Sequence, residues 1–184
     1  MEAEPFTPVK LICGIISSSE EIFFSTEKHL QKFYGDVDER SERFLFTATD
    51  YYENEMGAGL SRSFVSFDTL INPESLSGIK LHTNMLEKEL GREFQAERRI
   101  VNIDPGYCTA AALIMATAKN FAHRVPLQGG IYAHLELLFG RREVKFLPWT
   151  YPDFFSRDYQ DFFIKTRERY LSQLRGKNQS RPGS

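Results

Sequence analysis

Residues 100–118 read IVNIDPGYCTAAALIMATA. Ile100-Val101-Asn102-Ile103 is an apolar run of strand length. Asp104-Pro105-Gly106-Tyr107 has turn chemistry: Asp accepts backbone N–H bonds, Pro presets φ and Gly tolerates positive φ. Thr109 is then placed to cap residues 110–118, a run of strong helix formers. On this reading a strand ends at Ile103 and a helix begins at Ala110. The fold follows from that division, because it closes the segments upstream into a unit.

Upstream, residues 9–16 (VKLICGII) are short, apolar and rich in β-branched residues, as a strand buried on both faces would be. Ser18 and Glu21 have capping-box spacing. Ile22, Phe23, Thr26, Leu30 and Phe33 make a helical stripe, and Gly35 is placed to end it. Residues 43–49 alternate as a strand does. Residues 50–60 (DYYENEMGAGL) break the period and read as a long connection. Residues 63–70 return to a strand, and Asn72-Pro73 opens a helix. Its stripe is Leu76, Ile79, Thr83, Leu86 and Leu90, with Gly91 as the stop. The order strand, helix, strand, strand, helix, strand is the ferredoxin-like βαββαβ pattern.

Downstream, residues 124–127, 131–139 and 143–147 are separated by Gly-containing turns and predict an antiparallel β-meander. In the middle run Ile131, Ala133, Leu135, Leu137 and Phe139 form the expected buried face. Tyr132, His134 and Glu136 form the other. Ser156 is placed to cap a last helix with Tyr159, Phe162, Phe163, Thr166 and Tyr170 on one side. The expected fold class is therefore α+β: a ferredoxin-like core extended by a helix, a meander and a final helix. Residues 9–174 form one domain, 1–8 a flexible N-terminus, and 175–184, which lack apolar residues, a disordered tail.

The chain has 184 residues and a net charge of −2, with acids and bases interspersed. That balance argues against a non-specific binder of double-stranded DNA. Sixteen Phe and eight Tyr supply ample core material. The two cysteines, Cys13 and Cys108, lie outside any metal or redox motif and read as buried free thiols, which suits a reducing compartment. No basic-then-apolar leader pattern opens the chain and no apolar stretch has the ~20 residues of a membrane span. Cytoplasm is the expected location.

Five segments in order, TDYYENEMG (49–57), NIDPGY (102–107), AKNFAHR (118–124), GGIYAHLEL (129–137) and LPWTYPDF (147–154), resemble a bacterial family known as the domain of unknown function 4416 family. The resemblance runs from about Pro8 to Tyr170. Some members carry a GTP-binding label. This chain has no GxxxxGK[ST], so the backbone nest and Lys of a P-loop are missing. Where the family has a β-branched residue and Tyr after His-Arg, this chain has Val125-Pro126. Proline removes a ladder donor there, which predicts an edge strand or a late start.

Residues able to do chemistry cluster in the same segments. Lys119, His123 and Arg124 could grip a phosphate or carboxylate, Arg as a fork and His as donor or proton carrier. The plain alternative is a charged helix C-terminus. Asp104 reads as a turn residue or as a base, with Tyr107 beside it. Asp50 and Tyr52 follow a strand and read as a solvated loop or as oxygen donors to a ligand. In a 4-1-3-2 sheet Asp50 and Asp104 emerge at the same end, roughly 14 Å apart, and meet only if residues 50–60 fold inward. His134 and Glu136 are ordinary exposed positions, or a partnered pair if covered. With His123 they offer a conceivable two-His, one-carboxylate metal set that has no recognised spacing. Trp149 reads as a plug at one end of the sheet or as a stacking platform. Asp153 reads as a helix cap.

Three functions fit. The first is a pocket for a small phosphate-bearing ligand such as a nucleotide, binding or catalytic, with His123 and Asp104 as the chemical pair. The remaining named residues (Lys119, Arg124, Asp50, Tyr52, Tyr107, His134, Glu136, Trp149) would hold the ligand. The second is an RNA-binding module using exposed aromatics. The third is a non-catalytic assembly protein whose Phe and Tyr form an oligomer surface. The sequence does not identify a cofactor.

Overall fold

The structure is a computed structural model and describes residues 2–46, 51–141 and 143–179. In chain order the elements are β1 (Val9–Ser17), α1 (Glu20–Tyr34), β2 (Val37–Arg40), β3 (Phe44–Leu45), α2 (Tyr51–Met56), β4 (Ser61–Ile71), α3 (Leu76–Glu93), β5 (Asn102–Cys108), β6 (Ala112–Thr117), β7 (Val125–Pro126), β8 (Tyr132–Phe139), β9 (Val144–Phe146) and α4 (Arg157–Gln179). Short 3₁₀ turns occupy Pro73–Ser75, Gln128–Gly130 and Pro152–Phe155. The class is mixed helix and sheet. The described strands make one antiparallel sheet in the order β2-β4-β1-β5-β6-β8-β7, with β3 added to β4 and β9 to β8.

All nine residues of β1 are buried, because both of its faces are covered. Leu11, Cys13 and Ile15 meet Ile22, Phe23 and Leu30 of α1 and Ile79, Leu86 and Leu90 of α3 on one face. Ile12 faces the other way, with Phe64, Leu113 and Met115, against Tyr159, Phe162 and Phe163 of α4. Each such large side chain contributes roughly 1.5–3 kcal/mol when fully buried. Lys10 sits inside this apolar strand with 0% exposure. Its ammonium donates to Asp38 (2.5 Å), Phe67 O (2.7 Å) and Gln173 Oε1 (3.0 Å), so the buried charge is paired and all three donors are used.

The chain departs from its sequence reading at several places. NIDPGY is strand, not turn: β5 runs straight through it and pairs with β1 from Asn102 to Cys108. Residues 110–118 contain no helix. Thr109–Ala112 makes a tight turn, Thr109 Oγ1 accepting from the Ala111 and Ala112 amides, and β6 returns antiparallel to β5. Sheet pairing on both flanks overrides the helix propensity of Ala, Leu and Met. Gly106 belongs in β5 for want of space. A Cβ there would lie 2.4 Å from Met115 Sδ and 2.5 Å from Ile114 O.

Smaller corrections follow the same logic. The Ser18–Glu21 capping box does not form; Ser19 is the N-cap, without a side-chain bond. Phe33 is exposed, off the buried stripe. Residues 50–60 include a short helix, α2. Gly91 does not stop α3, which continues to Glu93 and ends with Gln95 at a φ of 51°. Of the expected strand at 43–49 only Phe44–Leu45 is strand, residues 47–50 lying outside the described residues. The edge pairing with β4 is shared with β2, which the sequence reading lacked. The last helix carries Tyr159, Phe162, Phe163, Thr166 and Tyr170 buried, as read. It continues to Gln179, past Arg175 where fraying was expected. No helix among the described residues is long and apolar enough to cross a membrane.

Gly106→Ala is expected to lower stability by about 1–3 kcal/mol through overpacking against Met115 and the β6 backbone. Gly78→Ala, in the exposed first turns of α3 with open space around it, is expected to raise stability by roughly 0.5–1 kcal/mol. Denaturant midpoints of the two variants check both signs.

Candidate functional site

β6 pairs with β5 only from Gly106 to Cys108. Pro105, with no N–H to give, precedes that ladder. Beyond it the two strands part, and Asp104 lies at the opening. Lys80, on α3, donates to Ile103 O (2.6 Å) and meets Asp104 Oδ1 at 3.4 Å. From the other face Arg62 of β4 donates through Nη2 to Asp104 Oδ2 (3.0 Å) and through Nη1 to Asp153. Asn102 Nδ2 donates to Asp104 Oδ2 (2.7 Å) while its Oδ1 accepts from Arg99 (2.5 Å). Arg99 in turn pairs with Glu87 (2.7 Å) and Glu55 (3.2 Å). A continuous polar chain thus links α2, α3, β4, β5 and the Pro152–Phe155 turn.

Burial pushes the Asp104 carboxyl up, but Lys80, Arg62 and the Asn102 amide outweigh it and hold it below the usual carboxylate range. Burial pushes the Glu87 carboxyl up, against Arg99, Lys80 and the Ile103 amide. Tyr52 packs on Phe46 and sits under the Arg99 and Lys119 cations. Burial and the Asp104 charge keep its phenol protonated. Burial raises both thiols, Cys108 to about 12, which leaves them inert.

Two cavities meet at this opening, and Tyr52, Asp104, Thr117 and Lys119 line both. The larger, about 660 Å³, lies on the α3 side. Lys80, Lys88, Arg92, Arg98, Arg99 and Lys119 face it against Glu87 and Asp104, a strong cationic excess. The smaller, about 410 Å³, lies on the α4 side between Arg62, Asp104, Asp153, His134 and Glu136.

His134 and Glu136 reach the smaller cavity through a β-bulge. Leu113 pairs with Leu137 and Ile114 with Leu135, so Glu136 is the extra residue of β8. A bulge re-aims a side chain. Of the two readings of this face the covered, partnered pair holds: His134 is 4% exposed and Glu136 0%, while Ile131 and Leu137 of the expected buried face are buried as well. Glu136 Oε2 lies 2.6 Å from His134 Nε2, and Oε1 accepts from the Tyr151 amide (2.7 Å). Among the described residues, His134 Nδ1 and Arg62 Nε are buried with no hydrogen-bond partner.

Asp104, Tyr52, Lys119, His134 and Glu136 come together, and Tyr52 shows that the segment after β3 does fold inward. Asp50 lies outside the described residues. Tyr107 does not join the site; it packs near Leu76, Ala116 and Ile131. Lys119 and His123 are not stacked on a helix, since residues 118–124 are a loop. Arg124 ties that loop down, donating to Lys119 O (2.7 Å) and Tyr151 Oη (3.0 Å). His123 lies outside the cavity lining, stacked on Trp149 with ring centres 5.1 Å apart and 5.7 Å from His134. Burial and the neighbouring His134 and Arg124 lower its pKa. Trp149 is no core plug: it is 39% exposed and donates to Leu135 O. No group of three or more His, Cys, Asp or Glu among the described residues is placed to hold a metal ion.

Sequence reasoning missed Arg62, Lys80, Arg99 and Asn102, and took Asp153 for a cap. The signal for Arg62 was present. It shares its strand phase with buried Phe64 and Ser66, and a charge in phase with core positions needs a buried partner. Lys80 and Glu87, seven apart on one helix, likewise share a side.

Asp104→Asn leaves Arg62 and Lys80 each short of a counter-charge. The expected loss is about 2–4 kcal/mol, tempered because 21% of the Asp104 side chain meets solvent. With its pKa depressed in the fold, Asp104 contributes stability that is present above about pH 4 and is lost as pH falls through the folded value. Thermal melts from neutral to acid pH should therefore show a shallower acid decline in Asp104→Asn than in the wild type.

No curated protein and no solved structure matches the chain. The sequence pattern of a family described as "Domain of unknown function (DUF4416)" matches residues 7–170, which is most of the chain. The protein that carries this parted sheet and its paired cavities belongs to the DUF4416 family.

Proposed function

We propose that the two cavities together bind one small phosphate-bearing ligand, of which a nucleotide is one example. The phosphate lies in the larger cavity and the uncharged remainder extends between Arg62 and His134. The observation that carries this reading is the cationic excess of the larger cavity, six basic side chains against two acidic ones. A cleft lined by one sign of charge concentrates ions of the other. Lys88, Arg92 and Arg98 are exposed at its rim and would steer an anion inward. The cations of the 119–124 loop divide: Lys119 lines the site, and Arg124 shapes it through Tyr151.

Glu136 also supports a catalytic version of this reading. An imidazole oriented by a carboxylate is a common proton carrier in acid–base catalysis. The proposal extends to the scaffold: the order β2-β4-β1-β5, with α1 and α3 on one face, supports a ferredoxin-like core onto which β6–β9 and α4 are added. The buried free thiols support a cytoplasmic setting.

The triple variant Lys88→Ala, Arg92→Ala, Arg98→Ala removes only exposed side chains, so its melting temperature should stay close to that of the wild type. Binding of phosphate monoesters and nucleotides should weaken about tenfold or more, with a shallower dependence on salt. Calorimetry over a salt series measures both. A broad panel of phosphate esters that fails to shift the wild-type melting temperature would falsify the proposal.

A further inference from the structure

We infer that the part of the ligand held in the smaller cavity bears hydroxyl groups, so that the ligand class is a phosphate monoester of a polyol or sugar. The inference rests on the phosphate-site reading above and adds to it the chemistry of the ligand's other end. Glu136 as a carboxylate can only accept, so the hydrogen at the 2.6 Å contact belongs to His134 Nε2. In the neutral ring that leaves Nδ1 with a lone pair, buried and unused. Arg62 holds Asp104 and Asp153 through its Nη atoms, while its Nε–H, buried over Gly14 of β1, makes no hydrogen bond.

Both residues line the same cavity. A buried polar atom left unpaired is costly, so a cavity that sets the unused His134 acceptor and three carboxylates beside the Arg62 and Lys119 cations favours a neutral group that is both donor and acceptor. A ligand hydroxyl is such a group. A purely anionic occupant fits poorly, because Asp104, Asp153 and Glu136 already face this space against Arg62 and Lys119. The carboxylates supply further acceptors for hydroxyl hydrogens. The charge asymmetry between the cavities then orients the ligand, phosphate toward α3 and hydroxyls toward α4.

The test compares a pentose phosphate with tetrahydrofurfuryl phosphate, which has the ring and phosphate without the hydroxyls, and with inorganic phosphate. Calorimetry uses the full chain. The pentose phosphate is expected to bind about ten- to a hundredfold more tightly than its deoxygenated counterpart. Nitrogen NMR of the imidazoles should show His134 Nδ1 moving only with the pentose phosphate. The comparison is made on the wild type, so it does not depend on a His134 variant folding. Equal affinity for the two ring phosphates overturns the hydroxyl inference and leaves the phosphate site standing. Failure of all three probes to bind removes the phosphate site, and this inference with it.

Discussion

Asp104 is held between a guanidinium from one face of the sheet and an ammonium from the other, and much of the molecule is arranged to allow it. A carboxylate this deep is stable as an anion only because Arg62, Lys80 and the Asn102 amide converge on it. Lys80 reaches it because β5 and β6 have separated, and they separate beside a proline that cannot extend the ladder. Arg62 reaches it from β4 by crossing β1 at Gly14, where a Cβ would lie 3.5 Å from its Nε, with Phe46, Phe64 and Phe154 around the guanidinium. The charges hold open a place that an apolar core would close, and two cavities of contrasting charge result.

How far the sequence exposed this varies by element. β1 and α4 were legible because their residues obey one rule each: an apolar run buried on both faces, and a stripe at helical spacing. The segment from Asn102 to Thr117 was misread because its local chemistry points the wrong way. Asp-Pro-Gly is turn-like and Ala-Leu-Met helix-like only while neighbours are ignored. Flanking strands β1 and β8 decide the matter, and no local pattern contains them. The site was half legible. His134, Glu136, Lys119, Tyr52 and Asp104 were singled out as unusual residues. Their partners Arg62 and Lys80 were passed over as ordinary charges in regular elements.

The bulge at Glu136 illustrates the same limit at the scale of one residue. Strict alternation along residues 131–139 puts His134 and Glu136 on the second face and leaves solvent or a covering partner equally open there. One extra residue lets Leu137 pack with Leu113 in the α4 core while His134 and Glu136 are also enclosed. The alternation carries no mark of that extra residue; it shows only against β6. Polar pairs covered in this way must satisfy each other, and the short Glu136–His134 contact together with the Tyr151 amide does so for all but one nitrogen.

The placement of β1 has a consequence for synthesis. β1 is made before either strand that flanks it, β4 and β5, and before α4, which covers one of its faces. One flank stays unpaired until residue 71 has emerged and the other until residue 108, and its second face stays wet until α4 arrives with Gln173 for Lys10. Such sequence-distant pairing slows folding and prolongs the life of sticky intermediates. The nascent chain therefore carries this apolar strand uncovered until elements far along the sequence have followed it.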